Sequence, residues 1–116
     1  MSICSHDQNY ERTYPLSGLN ASNPEFNQTE NLVYKQGDGT VFLKISPCGK
    51  KSEIGNLFPL FQDVQPPFIA ARDRSAFHFA MFSVIDGNSL EVKVYNVPED
   101  NSSKYLIDSF LIQKKK

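Results

Sequence analysis

The chain has 116 residues, of which 40% are hydrophobic and 22% are charged, a composition typical of a globular domain or part of one. Its 12 Lys and Arg residues nearly balance its 13 Asp and Glu residues, which excludes the basic surface typical of proteins that bind nucleic acid or anionic membranes. The sequence contains no apolar run of about 18 residues, and the charges near its start argue against a signal peptide. We therefore expect neither a nucleic-acid nor a membrane partner.

The first half of the chain predicts short β-strands separated by polar loops. Residues 1–4 form an apolar start that indicates the end of a buried strand, and the Gly- and Pro-containing residues 17–30 are typical of a surface loop. Residues 37–39, Gly-Asp-Gly, predict a tight turn into a strand over residues 40–45, which are rich in β-branched and aromatic side chains. Because a first strand this short stabilises little by itself, we expect the chain to be the tail of a larger domain.

The middle of the chain, residues 46–74, predicts no regular element. Ser-Pro-Cys-Gly at residues 46–49 ends the preceding strand, since proline has no N–H to donate and glycine tolerates a positive φ. The prolines of residues 50–74 indicate an irregular segment that packs through its large apolar side chains. These side chains are Leu57, Phe58, Leu60, Phe61 and Phe68.

The last third of the chain has the most regular pattern. Residues 76–84 predict an aromatic-rich strand, residues 86–88 a turn, and residues 90–95 a strand in which apolar and polar side chains alternate. Residues 105–112 predict a final strand. Since helical periodicity never exceeds a turn or two, the sequence indicates mainly antiparallel β-structure.

Cysteines and glycosylation sequons give weak signals about the compartment. Cys4 and Cys48 are too far apart for a CxxC motif and too few for a disulfide framework, so we expect two free thiols. Asn-x-Ser/Thr sequons begin at Asn20, Asn27 and Asn101. They indicate either a secreted glycoprotein as the parent or chance matches in Asn- and Ser-rich loops.

His6 is the first candidate metal ligand. Side chains at positions i and i+2 of an extended segment point to the same side, so His6 and residue 8 could face one site. Residue 8 is Gln, and its amide oxygen is a much poorer ligand for iron, zinc or manganese than an imidazole nitrogen. On these residues alone, His6 is a single histidine.

The other chemically capable side chains have simpler structural interpretations. Glu11 and Arg12 lie within the predicted loop turn, where an ion pair and hydrogen bonds that fix the loop are the alternative to direct catalysis. His78 is expected to be a structural histidine, and Asp73 is expected to form loop salt bridges with a neighbouring arginine, Arg72 or Arg74. The aromatic stripe around His78 is predicted to belong to the core. The stripe consists of Phe77, Phe79 and Phe82.

Four segments of the chain, in order, resemble one family. Residues 5–16, SHDQNYERTYPL, resemble the Gly-His-x-His-x-Tyr-Glu-Arg-Thr/Ser loop near the C-terminus of purple acid phosphatases and related calcineurin-like metallophosphoesterases. Residues 39–45 resemble the strand that precedes a glycine-rich turn in this family, and residues 65–77 resemble its Gln-Pro-x-Trp-Ser-Ala segment. Residues 105–113, with Asp-Ser-Phe-Leu-Ile, resemble its closing strand. The resemblance extends over essentially the whole chain.

The resemblance implies a binuclear metal centre in the parent protein. In the family the two histidines of the loop bind the two metals, iron together with zinc, manganese or a second iron, and the centre hydrolyses phosphate monoesters. His6 stands at the position of the divalent-metal ligand, Gln8 stands where the iron-binding histidine is expected, and Ser5 replaces the glycine. The remaining ligands of the family come from motifs that precede this loop. We therefore expect this chain to bind the metals unstably and to be inactive alone.

The resemblance also implies a fold and a domain plan. The expected fold is the C-terminal fragment of an α/β metallophosphoesterase, mainly antiparallel β-strands with long loops and little helix. Residues 1–16 would be the last metal-ligand loop, residues 17–39 a variable loop, and residues 40–116 a β-rich region. The parent would be secreted or otherwise extracytoplasmic.

Two hypotheses follow for the chain itself. It is either a fragment of such an enzyme, from a truncated gene model, a split gene or a short isoform, or a free-standing β-rich binding or interaction module that kept the scaffold without the chemistry. Gln8 motivates the second hypothesis, because a working centre should retain its histidine. Under both we expect exposed sheet edges and self-association.

Overall fold

The computed structural model describes residues 1–4, 9–18, 25–26, 32–46, 65–73, 77–98 and 102–114. Every helix or strand in these ranges is a β-strand, which confirms the prediction of mainly β-structure with little helix. No helix in the described ranges has the length and apolarity needed to cross a membrane. The ten strands are β1 (Ser2–Cys4), β2 (Tyr10–Thr13), β3 (Leu16–Gly18), β4 (Glu25–Phe26), β5 (Val33–Lys35), β6 (Phe42–Lys44), β7 (Ile69–Asp73), β8 (Phe77–Asp86), β9 (Ser89–Val97) and β10 (Tyr105–Gln113).

The first sheet has the strand order β1-β6-β2-β7. Strand β1 runs parallel to β6, whereas β2 is antiparallel to both of its neighbours, with Glu11 opposite Lys44 of β6 and Arg72 of β7. The expectation that Tyr-Glu-Arg forms a loop turn is therefore wrong. The segment is a strand because hydrogen-bonding partners lie on both of its edges, which its own four residues cannot signal.

The second sheet has the strand order β5-β10-β9-β8. Strands β8 and β9 form the predicted hairpin, with Val84 opposite Leu90 and the amide of Asn88 donating to the carboxylate of Asp86 in the turn. Strand β10 pairs antiparallel with β9, which confirms the predicted final strand, and it pairs in parallel with β5. Strand β5 lies within the predicted variable loop, so that part of the loop is ordered by pairing with a distant strand.

A third, two-stranded sheet joins β3 to β4, so the described parts of residues 17–30 contain a short ladder in addition to the expected loop. The predicted turn at residues 37–39 is confirmed. Gly37 and Gly39 have φ values of 100° and 135°, a region that side chains with a Cβ rarely adopt. The turn ends where Thr40 and Leu16 exchange backbone hydrogen bonds.

The core contains side chains from both four-stranded sheets. Its fully buried members are Tyr10, Tyr34, Val41, Leu43, Val92, Val94 and Phe110. Burying side chains of this size contributes about 1.5–3 kcal/mol each relative to exposure. The two sheets therefore depend on each other for stability.

Three predictions about burial and order need correction. Strand β1 forms but is exposed rather than buried, because it is an edge strand paired only with β6 among the described strands. Phe82 is exposed, and Phe77 and Phe79 are partly buried but outside the core cluster, so the predicted aromatic stripe does not form part of the core. Residues 69–73 are strand β7 rather than irregular chain. The predicted packing of Leu57, Phe58, Leu60 and Phe61 lies outside the described residues.

Candidate functional site

The segment with the candidate ligands connects β1 to β2. Both His6 and Gln8 lie outside the described residues, so their predicted roles stay predictions. The described residues on either side, Cys4 and Glu11, both lie opposite Lys44 of β6 in the sheet register. The ammonium of Lys44 donates to the carboxylate of Glu11 at 2.5 Å. The described residues on the two sides of the segment are therefore both adjacent to Lys44 in the first sheet.

Asn9 follows Gln8 directly and is fully buried. Neither its Oδ1 nor its Nδ2 has a hydrogen-bond partner in the structure as described. A buried polar group without a partner costs about 1–3 kcal/mol. Asn9 is therefore the one described residue next to the segment whose side chain has unused hydrogen-bonding capacity in a buried position.

The donors near this segment can be compared with the needs of a binuclear metal centre. His6, Gln8 and Asn9 offer one imidazole and two amides, whereas iron and zinc prefer several imidazole or carboxylate ligands. No group of three or more His, Cys, Asp or Glu side chains occurs together among the described residues. The described residues together with His6 and Gln8 therefore do not supply the ligand set that a pair of such metal ions prefers.

The largest polar cluster of the described chain lies under β2. This arginine cluster consists of Tyr10, Arg12, Tyr34 and Asp108. Arg12 donates from Nε to Oδ2 of Asp108 at 2.6 Å and from Nη2 to Oδ1 at 3.1 Å, a bidentate pair. The hydroxyl of Tyr10 donates to Oδ2 of Asp108 at 2.5 Å, and Nη1 of Arg12 donates to the hydroxyl of Tyr34.

The arginine cluster is almost completely removed from water. The side chains of Arg12 and Asp108 are 2% and 7% exposed. The Arg12 guanidinium also lies over the ring of Phe110, at 4.8 Å from its centroid, where the face of the ring attracts a cation. Arg12 and Asp108 are 96 residues apart in the sequence, so the pair joins the first sheet to the second.

Electrostatics keep the members of the arginine cluster in one protonation state. Burial and the negative charge of Asp108 raise the pKa of Tyr10 far above its usual value, and burial also raises the pKa of Tyr34 despite the opposing charge of Arg12. Burial alone would lower the pKa of Arg12, but the hydrogen bonds and charge of Asp108 outweigh it and raise that pKa. Both phenols therefore stay neutral and the guanidinium stays charged. The cluster is built to hold two sheets together rather than to exchange protons.

The raised pKa of Tyr10 predicts a loss of stability at high pH. Tyr10 ionises near pH 10.0 in the unfolded chain but only at higher pH when folded, so the native state holds more protons above pH 10. Its contribution is fully present below that pH, and the free energy of unfolding should then fall by up to about 1.4 kcal/mol per pH unit from this residue. Urea titrations between pH 8 and 11 should show this slope, and Tyr10→Phe should reduce it. An equal slope in the variant would contradict the prediction.

His78 lies in a second polar cluster between the sheets. This histidine cluster consists of Asp73, His78 and Asn96. The Nε2 of His78 lies 2.7 Å from Oδ2 of Asp73 and its Nδ1 lies 3.0 Å from the carbonyl oxygen of Ser46, and the tautomer sets which ring nitrogen donates. Nδ2 of Asn96 donates to the same Asp73 oxygen at 2.9 Å. His78 is fully buried. Because both ring nitrogens are engaged and shielded from solvent, His78 is structural, as predicted.

The predicted interactions of Asp73 omitted His78 and Asn96. The sequence predicts a loop salt bridge with a neighbouring arginine, whereas the structure places Asp73 at the end of β7 and against His78 of β8. Arg74 lies outside the described residues. No local pattern links Asp73 to His78 or Asn96, although a buried histidine in a predicted strand implies that some acceptor lies close to it.

Two of the cavities that border the described residues contain no catalytic constellation among the described side chains that line them. One of about 160 Å³ is lined by Cys4, Glu11, Thr13 and Lys44, among others, which is below the range of about 300–1,000 Å³ for small-molecule pockets. The other, of about 510 Å³, lies beside the β8–β9 turn. Cys4 is free, as predicted, and exposed, while Cys48 and the asparagines of the three sequons lie outside the described residues.

Comparison with known proteins gives no relative from which to transfer a function. No family model, no curated protein and no solved structure matches the chain. A function is therefore inferred from the residues and their geometry.

Proposed function

We propose that this chain is the C-terminal portion of a purple acid phosphatase-like metallophosphoesterase, whose parent hydrolyses phosphate monoesters at a binuclear metal centre. The chain does not perform this hydrolysis alone. It supplies the β-scaffold that positions the segment containing His6. An extracytoplasmic location of the parent belongs to the same proposal.

One observation about β2 carries the proposal. Strand β2 contains the Tyr-Glu-Arg-Thr residues of the first resembling segment. It pairs with β6, in the second segment, and with β7, in the third, and its Arg12 binds Asp108, in the fourth. Four segments that resemble one family separately thus contact one another through a single strand, as expected if they belong to one scaffold.

The contacts of β2 also give the scaffold a role. Strand β2 starts two residues after Gln8, and the buried pair of Arg12 and Asp108 fixes its position. If residues 5–8 form the ligand loop that the resemblance implies, β2 would provide a fixed attachment for its C-terminal end. Such support of a ligand by neighbouring hydrogen bonds typically changes metal affinity or activity by about 10- to 100-fold.

Metal content and phosphatase activity of the purified chain test its inactivity alone. We expect the wild type to retain no stoichiometric metal pair by elemental analysis and to show no turnover of 4-nitrophenyl phosphate. Gln8→His adds an imidazole two residues from His6 and should increase the zinc retained per chain, while His6→Ala in that background should remove the gain. Two metals per wild-type chain, or turnover that depends on His6, would refute the proposed inactivity.

The parentage has its own test. The genomic sequence preceding the codon for Met1 should contain a reading frame that encodes the missing ligand motifs, which are rich in aspartate and include a Gly-Asn-His segment. If it encodes none, the proposal of a truncated gene model is lost, whatever the activity of the chain.

A free-standing interaction module is the second candidate function. It is favoured by a core that both sheets of this chain build together, with Leu43, Val92 and Phe110 fully buried. An independent module should be soluble and unfold in one transition whose calorimetric and van't Hoff enthalpies agree. Aggregation with a broad transition would instead favour the fragment.

A further inference from the structure

Strand β8 is an edge strand among the strands that the structure describes. It lies at the end of the second sheet and pairs with β9 on one side, and none of the other described strands pairs with its second side. Natural edge strands are usually protected by lysine, proline, inward-pointing charge or a β-bulge, and the irregularity of β8 between Val84 and Asp86 lies at the end of the strand. The ten residues Phe77–Asp86 contain no Lys, Arg or Pro, and their formal charge is confined to the terminal Asp86.

The outer half of β8 also exposes large apolar side chains. Met81 is 52% exposed, Phe82 42%, Val84 77% and Ile85 55%. Because successive side chains of a strand alternate between faces, Phe82 and Val84 lie on one face and Met81 on the other, whereas the irregularity between Val84 and Asp86 takes Ile85 out of this alternation. Together they expose an apolar area on the order of 400 Å², divided between the two faces of the strand.

We propose that two copies of this chain pair antiparallel through their β8 edges, around a two-fold axis at Ser83. A two-fold axis perpendicular to the sheet places one residue opposite its own copy, and the remaining residues then pair symmetrically. With Ser83 on the axis, Phe82 lies opposite Val84, and the regular pairing ends at the irregularity that follows Val84. The two four-stranded sheets become one sheet of eight strands.

This register is the self-complementary one. It pairs Phe82 of each copy with Val84 of the other, and such cross-strand pairs are the unit of sheet stabilisation. An axis at Val84 would instead place Phe82 opposite Asp86. With the axis at Ser83 the two Asp86 carboxylates are about 20 Å apart along the strands, which exceeds the Debye length of about 8 Å at physiological salt.

The surface area sets the expected strength of the pairing. Two patches of about 400 Å² and the paired backbone place the interface below the roughly 1,200 Å² of stable complexes. A reversible dimer with a dissociation constant in the micromolar range is therefore expected. A second copy is the occupant because the edge complements itself in hydrogen bonding, side-chain pairing and charge.

Sedimentation equilibrium of the full chain between about 1 and 200 μM tests the dimer. We expect a monomer–dimer equilibrium, which Val84→Lys should weaken at least tenfold by placing a charge opposite Phe82. Leu106→Lys is the matched control, since Leu106 is 49% exposed on β10 rather than on the β8 edge, and it should change the constant less than twofold. Circular dichroism verifies that both variants fold. A monomer throughout, larger aggregates unaffected by Val84→Lys, or equal weakening by both variants would overturn the proposal.

A cysteine variant tests the register. In a Cys4→Ser/Cys48→Ser background, Ser83→Cys places two thiols opposite each other, with Cβ atoms about 4.5–5.5 Å apart, within reach of a disulfide after small adjustment. Oxidation with diamide should therefore link the copies on a non-reducing gel. Met81→Cys should not link, because its two copies are about 13 Å apart along the strands. Equal linkage at both positions, or none at residue 83, would overturn the register.

Discussion

Replacing Asp108 with alanine is expected to lower the free energy of unfolding by about 3–5 kcal/mol, because the buried Arg12 guanidinium then has no counter-charge. The loss also removes the acceptor of the Tyr10 hydroxyl. Urea denaturation monitored by circular dichroism measures the effect. Since a chain with only 116 residues is expected to have a total stability of about 5–15 kcal/mol, the variant should be close to unfolding at 37 °C.

Two control variants separate an unpaired charge from the loss of any ion pair. Glu11→Gln removes the partly buried pair with Lys44 and should cost less than about 1 kcal/mol, as for ion pairs accessible to solvent. The double variant Arg12→Met/Asp108→Leu replaces the buried pair with apolar side chains and should recover much of the stability lost in Asp108→Ala. If Asp108→Ala costs no more than Glu11→Gln, the pair does not join the sheets.

Replacing Gly39 with alanine is expected to cost about 2–4 kcal/mol, through two separate effects. Gly39 has a φ of 135°, and such a conformation costs a residue with a Cβ about 1–3 kcal/mol. An added Cβ would also lie 2.7 Å from the carbonyl carbon and oxygen of Leu16. Because these are backbone atoms that exchange hydrogen bonds with Thr40, they cannot move away without breaking that contact. Chemical denaturation of the variant measures the cost.

Gly87 provides the matched control for Gly39. It lies in the β8–β9 turn, where an added Cβ meets no atom within 4 Å, and its φ is outside the positive region that Gly37 and Gly39 occupy. Gly87→Ala should therefore change the free energy of unfolding by less than about 0.5 kcal/mol. A similar loss in both variants would show that neither the backbone conformation nor the approach to Leu16 is decisive.

The two polar clusters explain how such a small molecule joins two sheets. The arginine cluster and the histidine cluster each contain side chains from both sheets, and in each an acidic residue accepts several hydrogen bonds. Buried polar groups of this kind are costly when partners are missing and specific when all are present. They favour one arrangement of the sheets over others that would bury similar apolar area.

The hairpin and the last strand could be predicted because their signals are local. Alternation with period two in β9 and the Asp-Gly-Asn sequence before it are both contained within about ten residues. Strands β2 and β5 could not be predicted in the same way. Each has only three or four residues, and each exists because a strand distant in sequence pairs with it.

In the candidate site, too, the features with local sequence signals could be predicted and those that depend on distant residues could not. Spacing and resemblance identify His6 and Gln8 as candidates, and both residues lie outside the described part of the chain. Arg12 was expected to form a buried ion pair, but nothing in the sequence selects Asp108 as its partner, since 96 residues separate them. Nothing in the sequence distinguishes Asn9, because its burial without a hydrogen-bond partner depends on the residues that the fold places around it.

The sequence by itself determined the β-rich class, the β8–β9 hairpin, the turn at Gly37 and Gly39, and the structural role of His78. Tertiary structure alone decided the pairing of Arg12 with Asp108, the parallel partners of β6 and β10, and the exposure of the outer half of β8. The physical reason is the difference in sequence separation between the interacting residues. Turn preferences and side-chain alternation act within a few residues, whereas burial and ion pairing depend on which distant strands the whole chain brings together.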